Sequence, residues 1–274
     1  MSTLSGQRPS RQGEHMTAPV PRLYHAAPSY YSMIARLALI EAGVPFEPVR
    51  LDIHRRKQQL DPDYVRINPD MTVPALAWPG RILADSRLIL AEAFASLPAS
   101  AESEAWVDKH YAFPIEELTM GRLMATNPLA RRFFPRTLVS IHARLLTLAE
   151  AHPDLAERYR HRAERFAERI ETFDPSAVVG LFAHRLAEAE SLLDQLDAAL
   201  ADGRSFLDGQ AYGPADVVWT VFLARMRFVG RAEAVTRRPS LARYEAAMSA
   251  RPSHHAADLW TKLHPLRMLR QLFG

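Results

Sequence analysis

Hydroxyl groups crowd residues 29–32, where Ser29-Tyr30-Tyr31-Ser32 opens a run of helical spacing. A serine at such a position caps the helix, its oxygen accepting a first-turn N–H. A second serine, Ser86, follows Asp85 and can N-cap another helix; taken alone, Asp85-Ser86 reads as a cap and nothing more. Val73-Pro74 stands where an apolar run begins, a place at which proline opens an edge strand. Between these, His54-Arg55-Arg56-Lys57-Gln58 offers several cations and an amide, most of it a solvated run. The missing chemistry is as informative. With no cysteine in the chain, there is no disulfide, thiol nucleophile, Cys-bound zinc, iron–sulfur cluster or C-x-x-C redox pair. Sulfur chemistry would need a thiol brought from outside. The 11 histidines show no metal-ligand spacing, adjacent His254-His255 included, so no metal is expected. Neither a glycine-rich phosphate loop nor a Gly-x-Ser-x-Gly elbow is present.

These groups must be positioned by a chain of 274 residues, 48% hydrophobic and 24% charged, which is ample for a buried core and excludes a disordered or collagen-like chain. The net charge is only +3, and three of the 34 basic residues are lysines (Lys57, Lys109, Lys262). A small surplus of arginine on a charge-mixed surface is not a nucleic-acid-binding face. No stretch is long and apolar enough to span a membrane, and Met1–Pro21 lacks the apolar core of a signal peptide; it reads as a loose tail, with a cytoplasmic location expected. Residues 22–26 suggest a strand, Ser29–Ala42 a helix ended by Gly43 and Pro45, and Phe46–Ile53 a second strand, which makes the two strands parallel. After a loop or short helix, Thr72–Trp78 and Arg81–Asp85 flank Pro79-Gly80 as an antiparallel hairpin, and a helix runs from Ser86 toward Pro98.

Beyond residue 98 nearly everything carries helical periodicity. Ile141–Phe173 is helical and rich in Arg and Glu, broken at His152-Pro153, with Arg160/Glu164 and Arg165/Glu168 spaced for an exposed face. Ala177–Ala201 is a further helix, stopped at Asp202-Gly203. Gly213-Pro214-Ala215-Asp216 is a strong helix start, and the segment after it is apolar nearly all round, so it must be enclosed. Asp216 can reach back to the Gly213 N–H, a structural role.

This order resembles the cytosolic glutathione transferase family. The resemblance rests on Leu23-Tyr24, Ser29–Arg36, Asn68-Pro69, Thr72-Val73-Pro74-Ala75-Leu76, Asp85-Ser86 and Tyr212–Asp216, over roughly residues 22–252. It implies an α+β thioredoxin-like N-terminal domain (β-α-β-α-β-β-α) over 22–98, then an all-α helical-bundle C-terminal domain over 101–274, with a long helical insertion near 127–175. Within the family the chain looks closest to the branch of tetrachlorohydroquinone reductive dehalogenase and the zeta-class maleylacetoacetate isomerases. Those relatives open helix 1 with Ser-x-Cys-Ser, where this chain has Tyr31 in the cysteine's place. A mixed disulfide through a protein thiol is impossible here, so the resemblance does not extend to Cys-dependent reductive dehalogenation.

What the resemblance implies is a glutathione transferase, or a glutathione-dependent isomerase or lyase, with glutathione as co-substrate and no metal. The thiol would sit at the N-terminus of helix 1, where unpaired N–H groups favour a thiolate. Ser29 is the first choice of hydroxyl donor, with Tyr31 and Ser32 in reserve. Val73-Pro74 would be a cis step that pairs with the cysteinyl backbone; Asp85 and Ser86 would hold the γ-glutamyl end; Arg55 or Lys57, among the loop cations, would hold the glycyl carboxylate. The second substrate, a small hydrophobic electrophile, would lie against Tyr111, Phe113, Met120, Leu123 or Met124, though such residues are commonly plain core. A homodimer is expected from the family alone. The competing expectation is a transferase-like protein that binds a ligand or partner without turnover, favoured by the absent cysteine and by Gly213 where the family usually has Ser or Thr. Trp260–Phe273 has the pattern of a surface helix, for a membrane or for the protein's own core.

Overall fold

The computed structural model describes residues 19–97, 100–209 and 211–262. The boundary expected at 98, most of the 1–21 tail and the segment 263–273 lie outside the described residues. Pro21, counted in that tail, is buried and its carbonyl accepts the Glu47 N–H at 2.8 Å, so the described chain is anchored one residue ahead of the first strand.

Four short strands, β1 (Arg22–His25), β2 (Glu47–Arg50), β3 (Ala75–Trp78) and β4 (Arg81–Leu83), form one mixed sheet in the order β2-β1-β3-β4. β1 runs parallel to β2 and antiparallel to β3, and β3 pairs antiparallel with β4. Helix α1 (Tyr30–Glu41) makes the crossover between the parallel strands. Its stop is as the sequence implies: Gly43 has φ +66°, a conformation that glycine adopts without a side-chain clash. The stretch after β2, open between loop and helix, contains α2 (Pro62–Ile67), and α3 (Ser86–Ala93) follows the hairpin. The cap of α3 is a correction: Asp85, not Ser86, is the N-cap, its carboxylate accepting the Arg87 N–H at 2.6 Å.

The second part is helical throughout: α4 (Ala101–Ala112), α5 (Ile115–Thr126), α6 (Pro128–Ala151), α7 (Ala156–Thr172), α8 (Val178–Ala199), α9 (Pro214–Phe228), α10 (Ala232–Thr236), α11 (Pro239–Ser249) and α12 (Pro252–Ala256). α6 and α7 occupy the stretch where the resemblance implies an insertion, and they pack against each other as a hairpin. α6 starts well before Ile141, because Asn127 caps it through bonds from the Leu129 and Ala130 N–H groups at 3.0 and 3.1 Å, and it runs on through Pro135. On α7 the Arg165–Glu168 pair forms at 3.6 Å, but Glu164 meets His161 rather than Arg160.

Two large cores and a small cluster of Ala26, Tyr64 and Val73 hold this together. The larger joins α1 and the sheet, through Leu23, Met33 and Leu37, to α9, through Trp219 and Phe222. α9 is enclosed as its all-round apolar sequence demands. Asp216 is fully buried and accepts from the Gly213 N–H (2.9 Å), the Leu207 N–H (3.0 Å) and the Tyr244 hydroxyl (2.7 Å), so its part is structural. The second core packs the insertion hairpin, through Leu145, Tyr159 and Phe166, onto Leu60, Val65 and Met71 of the sheet domain. Polar bonds seal that contact. The Tyr159 hydroxyl donates to the Leu60 carbonyl at 2.8 Å, Arg158 to the Val65 carbonyl at 3.1 Å, and Arg66 pairs with Asp154 at 3.0 Å.

Candidate active site

The N-terminus of α1 faces the helical part. Ser29 is its N-cap, in extended backbone, and the Ser32 N–H donates to Ser29 Oγ at 3.4 Å. The Tyr30 and Tyr31 N–H groups have no acceptor among the described residues, so two donors and the positive end of the helix dipole lie open beside a half-buried serine hydroxyl. Ser29 accepts one bond and keeps its own proton to give.

The other hydroxyls of this turn divide sharply. Ser32 is fully buried, its Oγ accepting the Ala26 N–H at 3.3 Å, and it does not reach the cleft. The side chain of Tyr30 points into the interior, its Oη 2.6 Å from His110 Nε2 on α4. Tyr31 is half-buried and lies parallel to Tyr111, with ring centroids 6.3 Å apart. Burial first, then the charges of Glu116 and Asp85, raise the Tyr31 pKa, so the phenol stays protonated and a donor. Of the three expected catalytic hydroxyls, Ser29 and Tyr31 belong to half-buried residues and Ser32 to a fully buried one.

Tyr111 links this turn to α3. Tyr111 Oη lies 3.0 Å from Ser86 Oγ, and burial holds the Tyr111 phenol in its protonated form. Ser86 is only 2% exposed and Asp85 is occupied as a helix cap. The Ser86 N–H, at the first position of α3, has no acceptor among the described residues. The Ser86 hydroxyl is therefore engaged by Tyr111, while its backbone donor is open.

Val73-Pro74 is a cis peptide. The loop carrying it is fixed from behind by Asn68, fully buried, whose amide donates to the Thr72 carbonyl at 2.9 Å and whose oxygen accepts the Asp70 N–H at 3.0 Å. The Tyr64 hydroxyl donates to the same carbonyl at 2.5 Å. Met71 turns the chain there with φ +53°, in the left-handed region. Val73 packs against Ala26, next to the α1 start, and its own N–H and C=O meet no partner among the described residues. A free backbone edge of this kind can pair with an extended peptide.

In the loop after β2, Asp52 accepts the N–H groups of His54 and Arg55 at 3.0 and 2.8 Å and so folds the turn. Arg55 is exposed, whereas Lys57 is half-buried in left-handed backbone, φ +56°. Gln58 is structural, its side-chain oxygen accepting the Asp52 N–H at 2.7 Å. Among the residues expected to meet a second substrate, Tyr111 stacks on Tyr31, Leu123 is half-buried, and Met120 packs against the second core. Phe113 and Met124 follow the plain-core alternative: Phe113 has its ring 5.5 Å from Phe222 and Met124 has no exposed surface. His110, Glu116 and Arg225 were not singled out from sequence. Arg225 is buried, its guanidinium 5.2 Å from the Tyr30 ring centroid, and burial lowers its pKa to about 10. The contacts of His110 and Arg225 with Tyr30 and of Glu116 with Arg169 join distant parts of the chain, and no local spacing signals them.

A glutathione S-transferase N-terminal domain model matches residues 23–100, and a glutathione S-transferase C-terminal domain model matches residues 164–247. The tetrachloro-p-hydroquinone reductive dehalogenase of Sphingobium chlorophenolicum is 31% identical over 251 residues, 87% of this chain and 96% of that protein. A glutathione S-transferase TCHQD of Arabidopsis thaliana is 27% identical over 246 residues, 85% of this chain and 87% of its own length. Among solved structures, glutathione transferase F7 from Populus trichocarpa superposes with a TM-score of 0.60 at 17% identity, over 87% of this chain and 97% of that one. The chain belongs to the glutathione S-transferase family.

Proposed function

We propose that the protein is a glutathione-dependent enzyme that activates the glutathione thiolate against a small, hydrophobic, aromatic or unsaturated electrophile. The observation that carries this reading is the start of α1: a half-buried Ser29 hydroxyl beside two N–H groups without acceptors. Donors and a dipole there favour an anion and lower a thiol's pKa. The Ser29 proton would donate to the sulfur, and Tyr31 is a second donor within the same turn. The open Val73 backbone supports the cysteinyl part pairing as an added strand, and Asp85 with the Ser86 N–H supports a site for the γ-glutamyl end. The sulfur lone pair would form a C–S bond while a halide or ether oxygen leaves with its electron pair, or the adduct would collapse to an isomer. With no cysteine in the chain, no protein–glutathione mixed disulfide can form. We further propose a cytoplasmic homodimer, as the family suggests, with its domains divided near residue 98.

Ser86, only 2% exposed and with its hydroxyl engaged by Tyr111, favours a second reading, a ligand-binding protein without turnover. Calorimetric titration with glutathione, followed by a conjugation assay on Ser29→Ala, separates the two. Binding below millimolar concentration and a kcat/KM lowered about 10- to 100-fold by the substitution are expected. Binding without turnover in the unsubstituted protein would favour the second reading, and absence of binding at millimolar glutathione would sink the first.

A further inference from the structure

Arg36, in the middle of α1, is buried, and each of its five N–H donors meets an acceptor inside the protein. Nε donates to the Ala257 carbonyl at 2.7 Å. Nη1 donates to His25 Nδ1 at 3.2 Å and to the Ala26 carbonyl at 3.4 Å. Nη2 donates to the carbonyls of Ala27 and Asp258, each at 3.2 Å. One side of the guanidinium therefore holds the turn that leads into α1, and the other holds the chain just beyond α12.

That turn carries Ser29. The Ala26 carbonyl that Arg36 binds also accepts the Ser29 N–H, at 3.1 Å, and the Ala26 N–H is fixed by Ser32 Oγ. Arg36 and the N-cap residue of α1 thus meet at one oxygen. The cap bond itself is long, 3.4 Å from the Ser32 N–H to Ser29 Oγ, so the turn behind Ser29 decides where its oxygen stands. The far side of Arg36 is anchored as firmly. Trp260, 2% exposed, donates its backbone N–H to Met33 Sδ and its indole N–H to Asp258, both at 3.2 Å. At the other end of α1, Arg251 binds Glu41 through bonds of 2.7 and 2.6 Å. Residues 251–260 are a strap tied to both ends of α1.

We propose that Arg36 is a positioning residue for Ser29: it holds the Ala26–Ser29 turn against this strap, so that Ser29 Oγ keeps its place beside the open N–H groups. This rests on the glutathione reading above and deepens it. Lysine is no substitute, because an ammonium offers three donors from one point, where two segments here are bridged by a planar fork.

The test is a double-mutant cycle on the full chain with Arg36→Lys, Ser29→Ala and the two together. It is read by kcat/KM with a chloronitrobenzene, by the thiolate absorbance of bound glutathione against pH, and by calorimetry with S-methylglutathione. Arg36→Lys should lower kcat/KM about tenfold and raise the pKa of the bound thiol. S-methylglutathione, which has no thiol, should keep its affinity within about twofold. In the Ser29→Ala background the same substitution should cost less than about twofold, because the group it positions is gone. Losses that multiply, or an equal weakening of S-methylglutathione, would overturn the assignment and leave Arg36 a stabilising contact alone. Trp260→Leu loosens the strap while keeping Arg36, and supplies the same cycle with the same expected outcomes should Arg36→Lys not fold. No binding of glutathione by the unsubstituted chain would instead overturn the glutathione reading, and this assignment with it.

Discussion

At the scale of single residues, Tyr31 at the start of α1 stacks on Tyr111, and Tyr111 meets Ser86 at the start of α3. Tyr111 and Ser86 each have one proton, and their oxygens are 3.0 Å apart. Because burial keeps Tyr111 protonated, Tyr111 can donate to Ser86 and turn the serine's proton toward a ligand. Tyr111→Phe removes only the partner oxygen and leaves the ring stacked on Tyr31. Glutathione affinity in calorimetry should fall by about threefold to tenfold, the effect of one hydrogen bond. An unchanged affinity would mean that Ser86 contributes its backbone N–H alone. Tyr31→Phe, by contrast, is expected to change kcat/KM by no more than about threefold, because Ser29 is the nearer cap and keeps the helix-end donors company. Ser29, Tyr31, Val73-Pro74 and Asp85-Ser86 are legible in sequence because each marks a local backbone event, a helix start or a strand entry. Ser32 was misjudged for the opposite reason: adjacency in sequence says nothing about which face of the first turn a side chain takes.

At the scale of elements, α9 shows how far local signals reach. Gly213-Pro214-Ala215-Asp216 fixes its start, yet the sequence points to only one of the three donors that converge on Asp216, since Leu207 and Tyr244 arrive from elsewhere. Asp216→Asn keeps the volume but turns an amide N–H toward a donor and removes the charge that the three donors solvate. The variant should lose about 2–4 kcal/mol in denaturant unfolding. A loss under about 1 kcal/mol would show that the carboxylate is not their common acceptor. α6 marks where reading by pattern stops. Its first turns expose Leu129 and Phe133 and contain Pro135, so no amphipathic stripe announces a helix before Ile141. Its start is set by the Asn127 cap and by packing against α5 and α7, neither of which periodicity records.

At the scale of the whole molecule, the two parts are joined through buried groups that titrate. His110 on α4 meets Tyr30 on α1, and His25 on β1 lies 3.2 Å from Arg36, which in turn donates to the Ala257 carbonyl beyond α12 at 2.7 Å. Burial lowers the His110 pKa to about 3, and burial with the Arg36 charge lowers His25 to about 4. An unfolded chain takes up these protons near pH 6.5. Between those limits the unfolded state binds more protons, so this part of the stability is complete above pH 6.5 and drains away as pH falls. Asp216 works in the opposite sense: burial raises it to about 6, so its proton stabilises the folded form between about pH 4 and 6 and softens the loss there. His110→Gln offers Tyr30 an amide partner that does not titrate. Its unfolding free energy should change little at pH 7.5, while its slope between pH 4.5 and 6.5 should flatten by up to about 1.4 kcal/mol per pH unit. A slope as steep as in the unsubstituted protein would mean that His110 is not the group holding the two parts together in its neutral form, and the acid sensitivity would then fall to His25 and its contact with Arg36.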